Sequence, residues 1–292
     1  MSPEPLLATV NSAAIALQTM RPETLEKSTA PMTPSTGARR IVADQLGVQF
    51  PGGVKALADL SFAAAPGEFI SVVGPSGCGK STLLRVLAGS VAASEGAFAA
   101  EAKPGADALR LSFVFQQATL LPWRTVAANI ALPLELVRRR WIFSGLTPGD
   151  RARIATLIEL VGLHDFARSF PSQLSGGMQM RASLARALVT QPELLLLDEP
   201  FGALDDITRQ RLNEELRALW LRDRFTALFV THNVSEAVFL SQRVLVMSSR
   251  PGRIVADLAV PFGDDRPEEL RTSAEFAAVC AKVSRALREA SA

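Results

Sequence analysis

Hydrophobic positions along this chain follow two periods, and the switches between them mark out its elements. Phe69–Val73 is a short, apolar, β-branched run bounded by Gly67 and Gly74, so it reads as a buried strand. Residues 193–198 contain four consecutive leucines, and residues 111–115 and Thr226–Val230 are two further apolar runs. A strand apolar on both faces belongs in the middle of a parallel sheet covered by helices. Between the runs the pattern turns helical. Residues 82–88 read as a helix ending at Gly89, and another opens at Ser175 and runs to about Val189. Leu184 and Leu188 share one face of that second helix, with Arg181 and Arg186 elsewhere on its surface. Near the end, Phe276, Val279, Val283 and Leu287 stand at i, i+3, i+7 and i+11, an amphipathic helix that should pack back on the core. Ahead of all these, residues 41–50 and 57–64 look like strands of a small antiparallel layer.

The pattern therefore predicts an α/β fold. A doubly wound core carries a small antiparallel β layer and, after Gln116, an inserted helical subdomain at about 118–187. The folded domain is expected over 39–262, followed over 263–292 by a linker (264–267) and the C-terminal amphipathic helix. Residues 1–38 are rich in Ser, Thr, Pro and Ala, and Pro3, Pro5, Pro22, Pro31 and Pro34 break any regular element, so a disordered tail is expected. A targeting or partner-binding role is the alternative, although Glu4 stands where a signal peptide carries positive charge.

Composition narrows the function classes. At 292 residues and 48% hydrophobic content the chain can bury an ample core, and a net charge of +2 is too small to argue for nucleic acid. No stretch approaches 18 uninterrupted apolar residues, so membrane association must come through a partner. Cys78 and Cys280 lie far apart, offer no disulfide framework and suit a reducing cytoplasm.

Candidate chemistry concentrates at three places. Gly74, Pro75, Ser76, Gly77, Cys78, Gly79, Lys80, Ser81 and Thr82 fit the pattern G-x-x-x-x-G-K-[ST] between a strand and a helix start. That arrangement aims backbone N–H groups and a positive helix end at one point and holds a polyphosphate. Lys80 is expected to neutralise β/γ-phosphate oxygens and the Ser81 hydroxyl to ligate Mg²⁺. The leucine run ends in Asp198 and Glu199, at the strand end where ligands of such sheets collect. Asp198 is a candidate Mg²⁺ ligand and Glu199 a candidate general base for water. Third, Ser175, Gly176 and Gly177 precede a helix, which is either an ordinary loop and cap or a second anion site. Two phosphate-facing loops in one chain point to a dimer.

These segments occur in a fixed order: residues 74–82, then Leu-Ser-Gly-Gly-Met-Gln at 174–179, then the strand into Asp198, Glu199 and Pro200. Gly202, Ala203, Leu204 and Asp205 follow, and then Thr231 and His232. Over about residues 41–260 the chain resembles the ATP-binding subunit of an ABC transporter. The resemblance implies a P-loop NTPase core of the ABC ATPase fold, and a head-to-tail homodimer closing over two ATP molecules with Mg²⁺. Each ATP would lie between the 74–82 loop of one chain and the 175–177 loop of the other, near Gln179. It also implies that Gln116 contacts Mg²⁺ and water, that Asp205 links the two sites, that His232 contacts the γ-phosphate, and that Phe50 stacks on adenine. Phe50 stands where many relatives have tyrosine, and it could instead be an ordinary core aromatic. Cys78 is expected to be a small residue the loop tolerates, with a redox role the minority reading. His164 is read as structural.

Val114, Phe115 and Gln116, continuing through Leu120 to Asn129 and Ile130, together with Ser249, Arg250, Pro251, Gly252, Arg253 and Ile254, resemble the importer ATPases of the nitrate, sulfonate and taurine group. On that resemblance, Leu121, Pro122 and Trp123 help receive a short helix of a transmembrane permease; otherwise they pack a hinge. A periplasmic solute-binding protein is an indirect partner, nucleic acid is not expected, and the location is peripheral, on the cytoplasmic face of the inner membrane. Arg138 to Trp141 could touch lipid headgroups but read better as an exposed helix end. The expected function is ATP hydrolysis that energises import of a small anionic solute. A soluble ABC ATPase acting mechanically on nucleic acid or ribosomes is the competing class. A P-loop kinase would leave residues 174–179 unexplained.

Overall fold

The computed structural model describes residues 38–101, 109–139, 145–202 and 204–291. In chain order it forms β1 (Ile41–Gln49), β2 (Lys55–Ala64), β3 (Phe69–Val73), α1 (Lys80–Leu87), β4 (Glu95–Ala100) and β5 (Leu111–Val114). Helices α2 (Val126–Arg139), α3 (Pro148–Leu160) and α4 (Gly176–Leu188) come next, then β6 (Leu194–Asp198), α5 (Asp206–Asp223) and β7 (Thr226–Val230). The chain ends with α6 (Val234–Leu240), β8 (Arg243–Met247), β9 (Ile254–Ala259) and α7 (Ala274–Ser291).

Two sheets organise these elements. The larger runs β5-β6-β7-β3-β8-β9, parallel except for β9, which pairs antiparallel with β8. The smaller, β2-β1-β4, is antiparallel. Side chains alternate across the large sheet as a strand requires. Leu195 and Leu197 of β6 face one core with α2, α3, α4, α5 and α7. Leu194 and Leu196 face the other, with α1 and the antiparallel sheet. The four-leucine run is thus apolar on both faces because both faces are covered.

Local chemistry explains the helix starts. Ser175 caps α4 by accepting from the Met178 N–H, and Asp205 caps α5 by accepting from Thr208. Helix α3 opens on a reciprocal capping box of Thr147 and Asp150.

Three expectations need correction. Residues 264–267 are more than a linker: Arg266 is buried and donates to the carbonyls of Val238, Phe239, Ser241, Phe262 and Gly263. Arg186 is not a plain surface residue either, since it donates to the carbonyls of Ala118 and Thr119 and ties α4 to the segment after β5. Ala38 is buried and Arg39 pairs with buried Glu193 at 3.1 Å, so packing on the fold includes Ala38, one residue before the expected boundary. The rest of the expected tail, and Arg140 and Trp141, lie outside the described residues. Helix α7 does pack back on the core, burying Phe276 and Val283 with Val279 and Leu287 partly buried beside them.

Candidate active site

The parallel strands end together, and the site is built on that edge. After β3 the chain turns through residues 74–79 into α1, with Gly79 at φ 112°. A Cβ on Gly79 would meet the Ala56 carbonyl oxygen at 2.9 Å, so both space and backbone angle require glycine there. Cys78 is buried, and burial pushes its thiol pKa up, which disfavours a reactive thiolate. Lys80 is buried and donates Nζ to the carbonyls of Gly74 (2.9 Å) and Pro75 (3.0 Å), holding its charge at the loop.

The carboxylates of β6 meet this loop. Ser81 Oγ donates to Asp198 Oδ1 at 3.0 Å. Burial raises the Asp198 pKa and Glu199 adds to this, while Ser81, Arg85 and Lys80 draw it back. Glu199 has φ 45°, left-handed for a residue with a Cβ, and its N–H is fixed by the Val230 carbonyl at 2.9 Å. Its Oε1 lies 4.0 Å from Lys80 Nζ and its Oε2 3.0 Å from His232 Nδ1. Glu199 therefore joins the loops after β3, β6 and β7.

A cavity of about 280 Å³ opens beside this cluster, lined by Ser76, Gly77, Gly79, Lys80, Ser81, Thr82 and Glu199. Phe50 lines its other end with Val54 and Ala56, and is 40% exposed, so it is not a core aromatic. A hydroxyl beside a single carboxylate suits Mg²⁺, which takes one or two carboxylates and completes its shell with water and phosphate oxygens. Among the described residues no group of three or more His, Cys, Asp or Glu could hold a metal ion by itself.

Other candidates fall elsewhere. Gln116 is exposed two residues past β5, whose Val114 pairs with Leu197, so it reaches the same sheet edge but does not line the cavity. Ser175, Gly176, Gly177 and Gln179 do not line it either, and the Gln179 amide donates to the carbonyls of Pro171 and Leu174 in the segment before α4. Gly177 packs instead toward Leu204 and Thr208, beside Asp205. Hydrogen bonds from Thr208 lower the pKa of exposed Asp205. His164 is exposed and pairs with Glu159 and Asp165. Trp123 is 72% exposed, which removes the hinge-packing alternative for it.

One contact at the cavity escaped the sequence reading, although its residue was singled out for another reason. Arg250 lines the cavity and donates Nε (3.2 Å) and Nη2 (2.8 Å) to the Gly77 carbonyl. Its sequence neighbourhood gave no sign of this, because the contact joins residues 173 positions apart.

Comparison with known proteins agrees with this geometry. The family model described as ABC transporter matches residues 57–202. A taurine import ATP-binding protein of Rhizobium johnstonii is 43% identical over 236 residues, covering 77% of this chain and 86% of that protein. An aliphatic sulfonates import ATP-binding protein of Burkholderia cenocepacia is 45% identical over 228 residues, covering 78% of this chain and 66% of its own length. Among solved structures, a dimeric ATP-binding cassette in a post-hydrolysis state with ADP and phosphate superposes with a TM-score of 0.65 at 28% identity. That match covers 76% of this chain and all of the other.

Proposed function

The chain belongs to the ABC transporter family, and on that premise we propose that it is the ATP-hydrolysing subunit of an importer for a small anionic solute of the nitrate, sulfonate or taurine kind. The observation that carries the catalytic part is the reach of Glu199 to both Lys80 and His232 at the rim of the 74–82 loop. ATP would lie with its base against Phe50 and its phosphates on the N–H groups of residues 76–82. Lys80 would exchange its two carbonyl acceptors for β/γ-phosphate oxygens. Ser81 and Asp198 are the groups that would hold Mg²⁺, with Gln116 closing in from the sheet edge. When bound, the ion supplies positive charge to the β- and γ-phosphates. Glu199 takes a proton from the attacking water, the new bond forms at the γ-phosphorus, and the bond to the ADP oxygen breaks. His232 reaches Glu199 through Nδ1, and a ring N–H is what it would offer a γ-phosphate oxygen once ATP is bound. Positioning and electrostatics supply most of the acceleration in such transfers.

The 175–177 loop lies outside its own cavity, which supports its use on the ATP of a second copy. Exposed Trp123, with Leu121 and Pro122, offers an apolar anchor for a permease, the kind of residue that dominates such contacts. The solute class rests on the named importers among the relatives.

Two measurements test the proposal. The protein should release inorganic phosphate from ATP without any acceptor, and Glu199→Gln should slow this by roughly 10²–10⁴ while sparing ATP binding. Turnover within about threefold of wild type would remove Glu199 as the base. Cells lacking the chain should lose energised uptake of a small sulfonate such as taurine, or of nitrate; unchanged uptake of all of these contradicts the solute class.

A further inference from the structure

Besides the Glu199–His232 contact, a second, partly buried bridge joins the starts of α5 and α6, the helices that follow the same two loops. Thr231, next to His232, donates its hydroxyl to Glu236 Oε2 and accepts the Asn233 N–H at 3.0 Å on that same hydroxyl. The Glu236 carboxylate thereby fixes the loop that carries His232. Glu236 is 4% exposed and sits in the first turn of α6, where its N–H is held by the Asn233 side chain at 3.2 Å. Its Oε1 has no hydrogen-bond partner of its own among the described residues and lies 3.6 Å from Arg209 Nε.

Arg209 stands near the start of α5 and ties it to the other loop. It donates to the carbonyls of Phe201 (3.4 Å) and Leu204 (2.5 Å) and to the Asp206 carboxylate (2.7 Å). Phe201 and Leu204 lie on the connection between Glu199 and Asp205, so this guanidinium holds that connection at two points. A buried ion pair adds little stability over an apolar pair of equal volume, and fixing a register is its best-attested use.

We propose that Glu236 is a positioning residue for hydrolysis. Through Arg209 it locks the His232 loop and the Asp205 loop together, so that a second copy pressing on Asp205 sets the placement of Glu199 and His232. The inference rests on the roles given above to those two residues.

The test is a double-mutant cycle on the full chain with Glu236→Gln, Arg209→Met and both together. Each single change should lower kcat about tenfold, with KM for ATP within about twofold, and the pair should be no slower than the worse single, because groups in direct contact do not act additively. Each variant should remain fully folded at the assay temperature in a thermal scan, although the single changes should melt lower, and this separates positioning from a loss of fold. Single variants with kcat within about twofold of wild type, or a double variant whose loss is the product of the two, overturn the proposal. If Glu236→Gln does not fold, Arg209→Lys decides alone: it keeps the charge but not the fork, so a wild-type kcat overturns the coupling. His232→Ala in the same series separates the two failures. A wild-type kcat for that variant sinks the site assignment itself, whereas a slow His232→Ala beside unaffected or additive pair variants sinks only the bridge.

Discussion

Glu199 has a backbone that a residue with a Cβ rarely adopts, φ 45° at the end of a buried strand. Such a conformation costs roughly 1–3 kcal/mol and persists only where the surroundings impose it. Here the Val230 carbonyl fixes the N–H, and His232 and Lys80 hold the carboxylate, so the side chain is aimed before any nucleotide arrives. At the far end of the cavity stands Phe50, proposed above to lie against the base. Stacking of an aromatic on a base is worth about 1–3 kcal/mol by alanine substitution. Phe50→Ala should therefore raise KM for ATP about tenfold with kcat nearly unchanged, and Phe50→Trp should restore it. Steady-state kinetics check this, and an unchanged KM removes the stacking role. Lys80, Ser81, Asp198 and Glu199 were legible in the sequence because each sits at a fixed place in a short local pattern. Arg250, Arg209 and Glu236 were not, because each acts across the fold through a contact that leaves no local spacing.

Among the elements, apolar runs buried on both faces were the plainest, although β8, buried at four of its five residues, was missed because it opens on Arg243. Strands β3, β6 and β7 are fully buried and read from apolar runs alone. Strand β9 alternates half-buried and exposed positions at the sheet edge, and β4 is an alanine-rich strand with no fully buried residue, so neither stood out. The 264–267 segment read as a linker for a related reason: Asp, Pro and Gly neighbours hide a single buried arginine. Arg266 ties the end of α6 to the chain entering α7, and burial lowers its pKa while Asp264 pulls the other way. Removing it leaves carbonyls of the α6 end without donors, a loss of about 3 kcal/mol. Arg266→Ala should then melt about 8 °C lower at neutral pH. A shift under about 2 °C in a thermal scan would mean that water replaces the guanidinium at no cost.

On the proposed function, the whole molecule carries two different halves of a phosphate site, one of each. One half is the cavity with Lys80, Ser81 and Glu199. The other is the capped start of α4, where Ser175 and Gly177 lie beside Leu204 and Asp205 but outside that cavity. A single chain cannot use both halves on one nucleotide; two chains related head to tail can. The central claim is therefore a composite ATP site, and light scattering on the hydrolysis-slowed Glu199→Gln protein tests it most directly. With ATP and Mg²⁺ its mass should rise from the 31.3 kDa of one chain to twice that value, and adding Ser175→Arg should hold it at one chain. A Ser175→Arg variant that still dimerises fully with ATP would contradict the account.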